Sequence, residues 1–515
     1  MTHETDVLLV GWGPVGQTLA ILLAQHGWRV TALEKQPAAY PLPRAVHFDH
    51  ETARILQAAG VADAMADGRI ETADFYEWRN GKGDVLLRFV SRPMGVCGWP
   101  EANMFAQPEL ERLLDEKARS LANVTLLRGH EAAALTETED GVRVTARTAD
   151  GSDATFAARF VVGCDGANSF VRGAIGAPVT DLGFFYDWLI VDVRPHVPKL
   201  WSPLNIQVCD PQRPTTLVSG GPGRRRWEFM RLPGEAIEDL NRADTAWRLL
   251  APWDVHPGNA DLERHVVYRF QARWVDLWRK GRGLLAGDAA HQTPPFAGQG
   301  MCAGLRDAMN LAWKLDLVLG GRAPECLLDT YAQERMAHVR MMIEFAMALG
   351  KVICVPDPAE ADARDASMMA TRDPQTTPPL PGILAGVLRE NDPVAGKVCV
   401  QARVRRGARE GLFDDVVGRG WTLLSADGDP LQALPDELAT WFRSIGGIGA
   451  RLGGDGDDGA PIRDLDGRAT AWLRENGAAV VLQRPDFYVF GSAATLADTP
   501  VLVADLRARL AAPAS

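Results

Sequence analysis

The stretch Asp6-Val7-Leu8-Leu9-Val10-Gly11-Trp12-Gly13-Pro14-Val15-Gly16 sets a short apolar run directly before three spaced glycines. Such a run is expected of a strand buried on both faces of a parallel sheet. Residues 15–26 carry a helical pattern that stops at Gly27, a residue suited to a helix C-terminus. Arg29-Val30-Thr31-Ala32-Leu33 reads as the next strand, so the segment forms a βαβ unit with the glycines at its first turn. Gly11 permits the tight turn, Gly13 lets backbone approach a pyrophosphate, and Gly16 allows close helix–strand packing. Val15, just after Pro14, opens the helix, whose free N–H groups and dipole favour phosphates. Glu34, followed by Lys35, ends the second strand where a carboxylate can accept hydrogen bonds from a ribose. The motif predicts dinucleotide binding on an α/β, Rossmann-like domain and does not separate NAD from FAD.

A chain of 515 residues is expected to hold two or three domains. Its 46% hydrophobic and 23% charged residues fit a soluble globular protein. With 55 basic against 66 acidic residues the net charge is −11, which disfavours a general nucleic-acid or anionic-membrane role. The local cluster Arg224-Arg225-Arg226 is expected at a solvated sheet edge or turn, with contact to one anionic group as the alternative. Seven scattered cysteines without a Cys-x-x-Cys match a reducing cytoplasm and provide neither a disulfide framework nor a zinc site. The first residues carry no basic n-region, and no apolar run approaches a membrane span, so a cytoplasmic protein is expected.

Helical patterns recur at 50–59 and 108–121, and 142–162 alternates as strands around turns at Asp140-Gly141 and Asp150-Gly151. Residues 182–270 are rich in Trp, Val and Phe with little helical periodicity, as in an inserted, sheet-based substrate domain. A buried strand at 283–286 and a long helix at 304–319 return to the nucleotide-binding fold. Prolines, among them Pro356, Pro358, Pro374, Pro378, Pro379 and Pro381, mark a linker over 356–399. A small α/β unit follows at 400–515, with strands expected at 421–424, 479–482 and 487–490 and a helix at 437–445. The expected division is 1–180 with 270–355 for the nucleotide-binding domain, 181–269 for the substrate domain, and 72–105 reaching into the substrate region.

Two further clusters refine the ligand. Gly163-Cys164-Asp165-Gly166-Ala167-Asn168-Ser169-Phe170-Val171-Arg172 follows an apolar strand and can organise a loop against phosphates or a second nucleotide. Gly287-Asp288-Ala289-Ala290-His291-Gln292-Thr293-Pro294-Pro295-Phe296-Ala297-Gly298-Gln299-Gly300-Met301 combines small residues with bare backbone amides, which suit a large flat redox ring. Asp288 can hydrogen-bond a ribityl hydroxyl or cap the next helix, and Pro294-Pro295 stiffens backbone that could lie against the ring. The N–H groups of Gly298, Gly300 and Met301 can stabilise negative charge on a reduced flavin. Together the clusters point to bound FAD.

In this order the three clusters resemble the single-component flavoprotein aromatic hydroxylases, or class A FAD monooxygenases, over nearly the whole chain. The resemblance narrows at Leu42-Pro43-Arg44-Ala45-Val46-His47-Phe48-Asp49-His50-Glu51, at Arg226-Trp227-Glu228-Phe229-Met230, at Gly304-Leu305-Arg306-Asp307-Ala308-Met309-Asn310-Leu311-Ala312-Trp313-Lys314-Leu315 and at Gly411-Leu412-Phe413-Asp414-Asp415-Val416-Val417-Gly418. These look most like the 3-(3-hydroxyphenyl)propionate hydroxylase subgroup. The resemblance implies a Rossmann-like FAD-binding domain, an inserted substrate sheet and a C-terminal thioredoxin-like domain. The last has no Cys-x-x-Cys, so a structural or oligomerising role, such as in a homodimer, is expected of it. By position, Gly11, Gly13, Gly16 and Glu34 fall to the adenosine half of FAD, and Arg44 to the pyrophosphate or flavin. Gln107 falls to the ribityl and ribose region, Asp165 and Gly166 to a motif serving FAD and the nicotinamide donor, Asp288 to the ribityl chain, and Pro295 to the reacting edge. Cys302 stands where many relatives have Asn.

The activity implied is insertion of one atom of O2 into a small phenolic substrate through a flavin hydroperoxide, with NADPH or NADH as transient reductant. No second strand–glycine–helix unit exists for the nicotinamide; Gly446-Gly447-Ile448-Gly449 is expected to be a loop. A phenol needs deprotonation or strong hydrogen bonding, and His47, Tyr186, Asp187 and Gln207 are the candidates. Arg225 or Arg226 could meet a substrate carboxylate, and Phe184, Phe185, Trp188, Trp201 and Phe296 could line an aromatic pocket or fill the core. The alternatives are a tailoring hydroxylase, epoxidase or Baeyer–Villiger enzyme on a polyketide-like aromatic and, in another class, a non-catalytic flavin-binding redox sensor. A flavin halogenase is disfavoured, because no Trp-x-Trp-x-Ile-Pro segment occurs.

Overall fold

The structure, a computed structural model, describes residues 2–370, 375–376, 381–453 and 461–512. Strand Thr2–Val10 runs parallel to Val30–Glu34 on one side and Asp153–Gly163 on the other, so Val7, Leu8 and Leu9 are fully buried. Gly283–Leu285 extends the parallel sheet beyond Asp153–Gly163, and Val124–Arg128 extends it beyond Val30–Glu34. The register aligns Val10 with Leu33 and Gly163, and Gly163 with Leu285. All three clusters therefore leave the same carboxyl edge of one sheet, the edge where open α/β sheets bind ligands. The helices Pro14–Gln25 and Gly300–Leu319 lie so close that a Cβ at Gly304 would stand 2.6 Å from Val15 Cγ2. The second helix begins at Gly300, one turn before the expected 304.

A nine-stranded sheet carries the substrate side. Its centre is Val179–Pro195, paired with Ala260–Val275 and Arg225–Met230, followed by Thr215–Ser219, Asn205–Cys209 and Phe75–Asn80. The segment also holds the short helices Ile237–Leu240 and Ala243–Leu250, within the little helical periodicity expected of it. They are too short for a periodic pattern to emerge from sequence.

Within the expected linker, Pro358–Ala370 forms a helix, a correction with a simple cause. A proline in the first helical turn lacks only an N–H that would be unpaired there anyway. Pro374, Pro378 and Pro379 lie outside the described residues. The C-terminal sheet places Ile448–Gly453 parallel to Thr422–Ser425, with Val480–Gln483 and Val489–Ala493 following antiparallel, a thioredoxin-like order. Ile448 and Gly449 thus belong to a strand and not to a loop, although this strand follows a helix and opens no nucleotide turn. All seven cysteines are free. Among the described residues no cluster suited to a metal occurs, and no helix is long and apolar enough to cross a membrane.

Candidate active site

Three glycines at the first turn divide by what surrounds them. Gly11 has φ +100°, and a Cβ there would lie 2.4 Å from the Cys164 carbonyl oxygen; a Cβ at Gly16 would lie 2.4 Å from the carbonyl oxygen of Gly11. Both are demanded by the protein's own packing. Around Gly13 nothing lies within 4 Å, and it precedes Pro14–Gln25 without a side-chain cap. The helix N-terminus is therefore open to an anion. Glu34 accepts hydrogen bonds from the backbone of Trp12 at 2.9 Å and Gln36 at 2.8 Å, and Lys35 is exposed beside it. Val15 seats against Gly287, joining the first cluster to the third.

Asp165 is fixed by the Ser169 hydroxyl and by the backbone N–H of Val171 at 3.2 Å, and burial pushes its carboxyl up. Gly166 beside it turns with φ +76° into open space. Gln107 accepts from the Ala45 N–H at 2.6 Å and donates to Glu111 at 2.6 Å. Glu111 also receives Arg44 at 2.7 Å, so Gln107 and Arg44 are tied into one loop.

The third cluster hangs from Asp307, a residue the sequence reading did not single out. Its carboxylate takes the Gly287 N–H at 3.0 Å and His291 Nε2 at 2.7 Å on one oxygen, and Arg335 Nε at 2.8 Å on the other, all buried. Asp288, next to this anchor, is solvent-accessible between the buried Gly287 and Ala289. Among the described residues no group donates to its carboxylate, and desolvation by the surrounding protein pushes its pKa up. An unpaired carboxylate at that place fits the hydroxyls of a ribityl chain, and the open Gly13 fits a pyrophosphate, so the residues present suit FAD.

A cavity of about 1060 Å³ opens between this loop and the nine-stranded sheet. Pro295, Gly298, Gly300 and Met301 line it, as do Arg44 and His47. His47 Nδ1 lies 3.5 Å from the Gly298 carbonyl, and burial lowers its pKa, favouring neutral imidazole. The Cys302 thiol points at the carbonyls of His47 and Gly298 and is pushed up to about 12 by burial, so it stays a neutral thiol. Arg306 pins the loop by bonding Asp49 at 2.7 Å, Glu51 at 2.7 Å and Gln299 at 3.0 Å.

Of the residues expected to act on substrate, His47, Gln207 and Pro295 line the cavity, whereas Tyr186 and Asp187 do not. Asp187 is held by Arg269 at 2.8 Å and Arg231 at 3.1 Å, which keep its carboxyl below the usual range. It is an ion-pair partner within the sheet. Tyr186 stands behind Phe296, ring centroids 6.2 Å apart, and Phe296 presents the surface.

The arginine cluster is also corrected. Arg225 and Arg226 are buried because their strand is interior, paired on both sides. Arg226 forks onto Asp192 at 2.7 and 3.1 Å and donates to the carbonyls of Arg44 and Pro43. Arg225 donates to the Leu204 carbonyl and lies over Trp201. Arg226 has no fork free for a substrate carboxylate, and Arg225, whose Nε and Nη2 have no hydrogen-bond partner, does not line the cavity.

Comparison with known proteins agrees with this geometry. A family model described as an FAD binding domain matches residues 4–346, and one described as an HcaD C-terminal domain matches 396–509. The chain is 40% identical to a probable NADH-specific resorcinol 4-hydroxylase of Rhodococcus jostii (strain RHA1), covering 98% of this chain and 95% of that one. It is 32% identical to the 3-(3-hydroxy-phenyl)propionate/3-hydroxycinnamic acid hydroxylase of Escherichia coli (strain K12), covering 96% and 92%. Among solved structures, aklavinone-11 hydroxylase in complex with FAD and aklavinone aligns over 99% of both chains, with a TM-score of 0.77 and 26% identity.

Proposed function

This chain belongs to the FAD-dependent aromatic hydroxylases, the single-component class A monooxygenases, and from that premise we propose that it hydroxylates a free phenol with NADH and O2. When bound, FAD supplies electron transfer from the nicotinamide and activation of O2. Gly13 and the helix it precedes would hold the pyrophosphate, Glu34 the ribose and Asp288 the ribityl chain. Arg44, Gln107, Asp165 and Gly166 would order the loops around them. The amides of Gly298, Gly300 and Met301 would stabilise negative charge on the pyrimidine side, and Pro295 would face the reacting edge. Phe296 and Trp78 give the cavity apolar walls, which exclude water from the reaction.

The observation that carries this reading is a single cavity bounded both by the flavin-side loop and by the polar residues of the substrate sheet. The 40% identity to a probable NADH-specific resorcinol 4-hydroxylase supports NADH over NADPH. The free, mostly buried thiols support a cytoplasmic location. The cavity volume supports a second reading, in which the phenol is part of a polycyclic, polyketide-like aromatic.

The test is NADH consumption by the yellow protein across resorcinol, 3-(3-hydroxyphenyl)propionate, 3-hydroxybenzoate and a polycyclic phenol, with product mass measured alongside. Expected is faster NADH oxidation with a mass gain of one oxygen for at least one free phenol. FAD that is bound but not reduced by NADH or NADPH in the presence of any aromatic would sink the hydroxylase reading and leave a flavin-binding sensor.

A further inference from the structure

We propose that Glu228 receives the substrate's phenolic hydroxyl, takes its proton during ring attack, and restricts this end of the cavity to uncharged hydroxylated rings. The inference rests on the reading of the chain as a phenol hydroxylase.

The register carries it. Gln207 stands directly opposite Thr216, and Thr216 directly opposite Glu228, so three polar side chains form one row across adjacent strands. All three line the cavity that the Pro295 loop bounds on its other side. Two members of the row are committed to each other: Gln207 Oε1 accepts from Thr216 at 2.7 Å and from Tyr76 at 3.2 Å, while its amide donates to the Thr215 carbonyl at 3.1 Å. Glu228 is not committed. Among the described residues no group donates a hydrogen bond to it, and the closest cation, Arg226 Nη1, is 3.8 Å away with its fork spent on Asp192.

A largely buried carboxylate with unfilled acceptor sites facing a cavity calls for a donor from the ligand. A phenolic O–H is such a donor; a substrate carboxylate is not, and would meet like charge. The groups facing Glu228 are Arg226 on its own strand, Asp192 and Arg264 on the neighbouring strands of the sheet, and Tyr76 across it. Burial outweighs the two arginines and raises the carboxyl, in the direction that makes a carboxylate a better base near neutral pH. In the step itself the phenolic O–H bond breaks and the proton forms an O–H bond on Glu228. The electron pair stays on the ring oxygen, enriching the ring that attacks the activated oxygen. Release of the proton to solvent resets the carboxylate.

The test uses the FAD-loaded enzyme and Glu228→Gln, with FAD content checked by the visible spectrum. Hydroxylation of resorcinol should fall by about 100-fold or more, the size of a lost general base. The loss should shrink steadily across ring-substituted phenols of increasing acidity, because an ionised phenol needs no base. Binding of 3-hydroxybenzoate should tighten relative to resorcinol once the like charge is gone. Glu228→Asp, which keeps a retracted carboxylate, should lose less, and the acidity series is run on it alone should the Gln variant fail to hold FAD. Activity equal to wild type, or a loss independent of phenol acidity, overturns the proposal. A wild-type enzyme that hydroxylates no phenol instead overturns the reading on which it rests.

Discussion

Arg484→Met is expected to destabilise the protein by about 3–5 kcal/mol, the range for breaking one side of a buried ion pair. Arg484 is fully buried and donates to Glu334 at 2.6 and 3.1 Å, to Asp486 at 2.7 and 3.0 Å and to the Val387 carbonyl at 3.0 Å. Methionine fills similar space but leaves two carboxylates facing each other, with Lys314 at 2.8 Å from Glu334 as the remaining cation. Arg484 and Asp486 sit in the C-terminal domain, whereas Glu334, Lys314 and Asn310 sit on the helices of the FAD-binding domain. The lost energy is therefore taken from the seam between the two.

The pH dependence has a definite sign. Burial disfavours the Glu334 carboxylate, but Arg484 and Lys314 outweigh it and hold its pKa below the unfolded value. Its stabilisation is present above the ordinary glutamate pKa of about 4.3 and is lost as pH falls through the folded value. In Arg484→Met that loss begins at higher pH. Denaturant midpoints measured from pH 7 down to pH 2 check both parts, because the folded Glu334 value lies at about 2; an unchanged midpoint at pH 7 would refute the role given to Arg484.

These contacts mark where sequence reading ends. The nucleotide turn was legible because its information is local: an apolar strand, glycines at fixed spacing and Glu34 at the next strand's end lie within one βαβ unit. Asp288 and the Pro295 loop were legible for the same reason. Asp307 was not, because it serves that loop from a helix that begins only after it, and a buried Asp in a helix has no signature of its own. In the substrate sheet, alternation shows that Arg226 and Glu228 share a face. Only strand order tells that the face is a cavity wall and that Arg226 is already taken by Asp192. The same ignorance of partners made Asp187 look like a base, when Arg231 and Arg269 neutralise it. Prolines hid the helix Pro358–Ala370, since Pro358 marks a first turn as readily as a linker.

Gly13→Val and Gly16→Val should fail in different ways, although they are three residues apart in one motif. At Gly13 the backbone is extended, φ −82° and ψ −174°, which any residue adopts, and no atom lies within 4 Å of a Cβ. The apoprotein should keep its stability within about 0.5 kcal/mol, as for a surface change. FAD should bind on the order of 100-fold more weakly, equivalent to roughly 2.7 kcal/mol, because the side chain fills the space a pyrophosphate needs. At Gly16 even the first carbon meets the Gly11 carbonyl oxygen at 2.4 Å, so the helix must move and the apoprotein itself should lose at least about 1–3 kcal/mol. Asp288→Ala belongs with Gly13: the fold stays intact, and FAD retention drops by about tenfold through one lost charged hydrogen bond. The ratio of flavin to protein absorbance after gel filtration, read beside apoprotein denaturation, separates the cases. Gly13→Val that stays fully yellow would mean that the open space there is not where the cofactor's phosphates lie. A full complement of FAD in Asp288→Ala would remove that carboxylate from the ribityl chain and leave its unpaired position without a ligand to explain it.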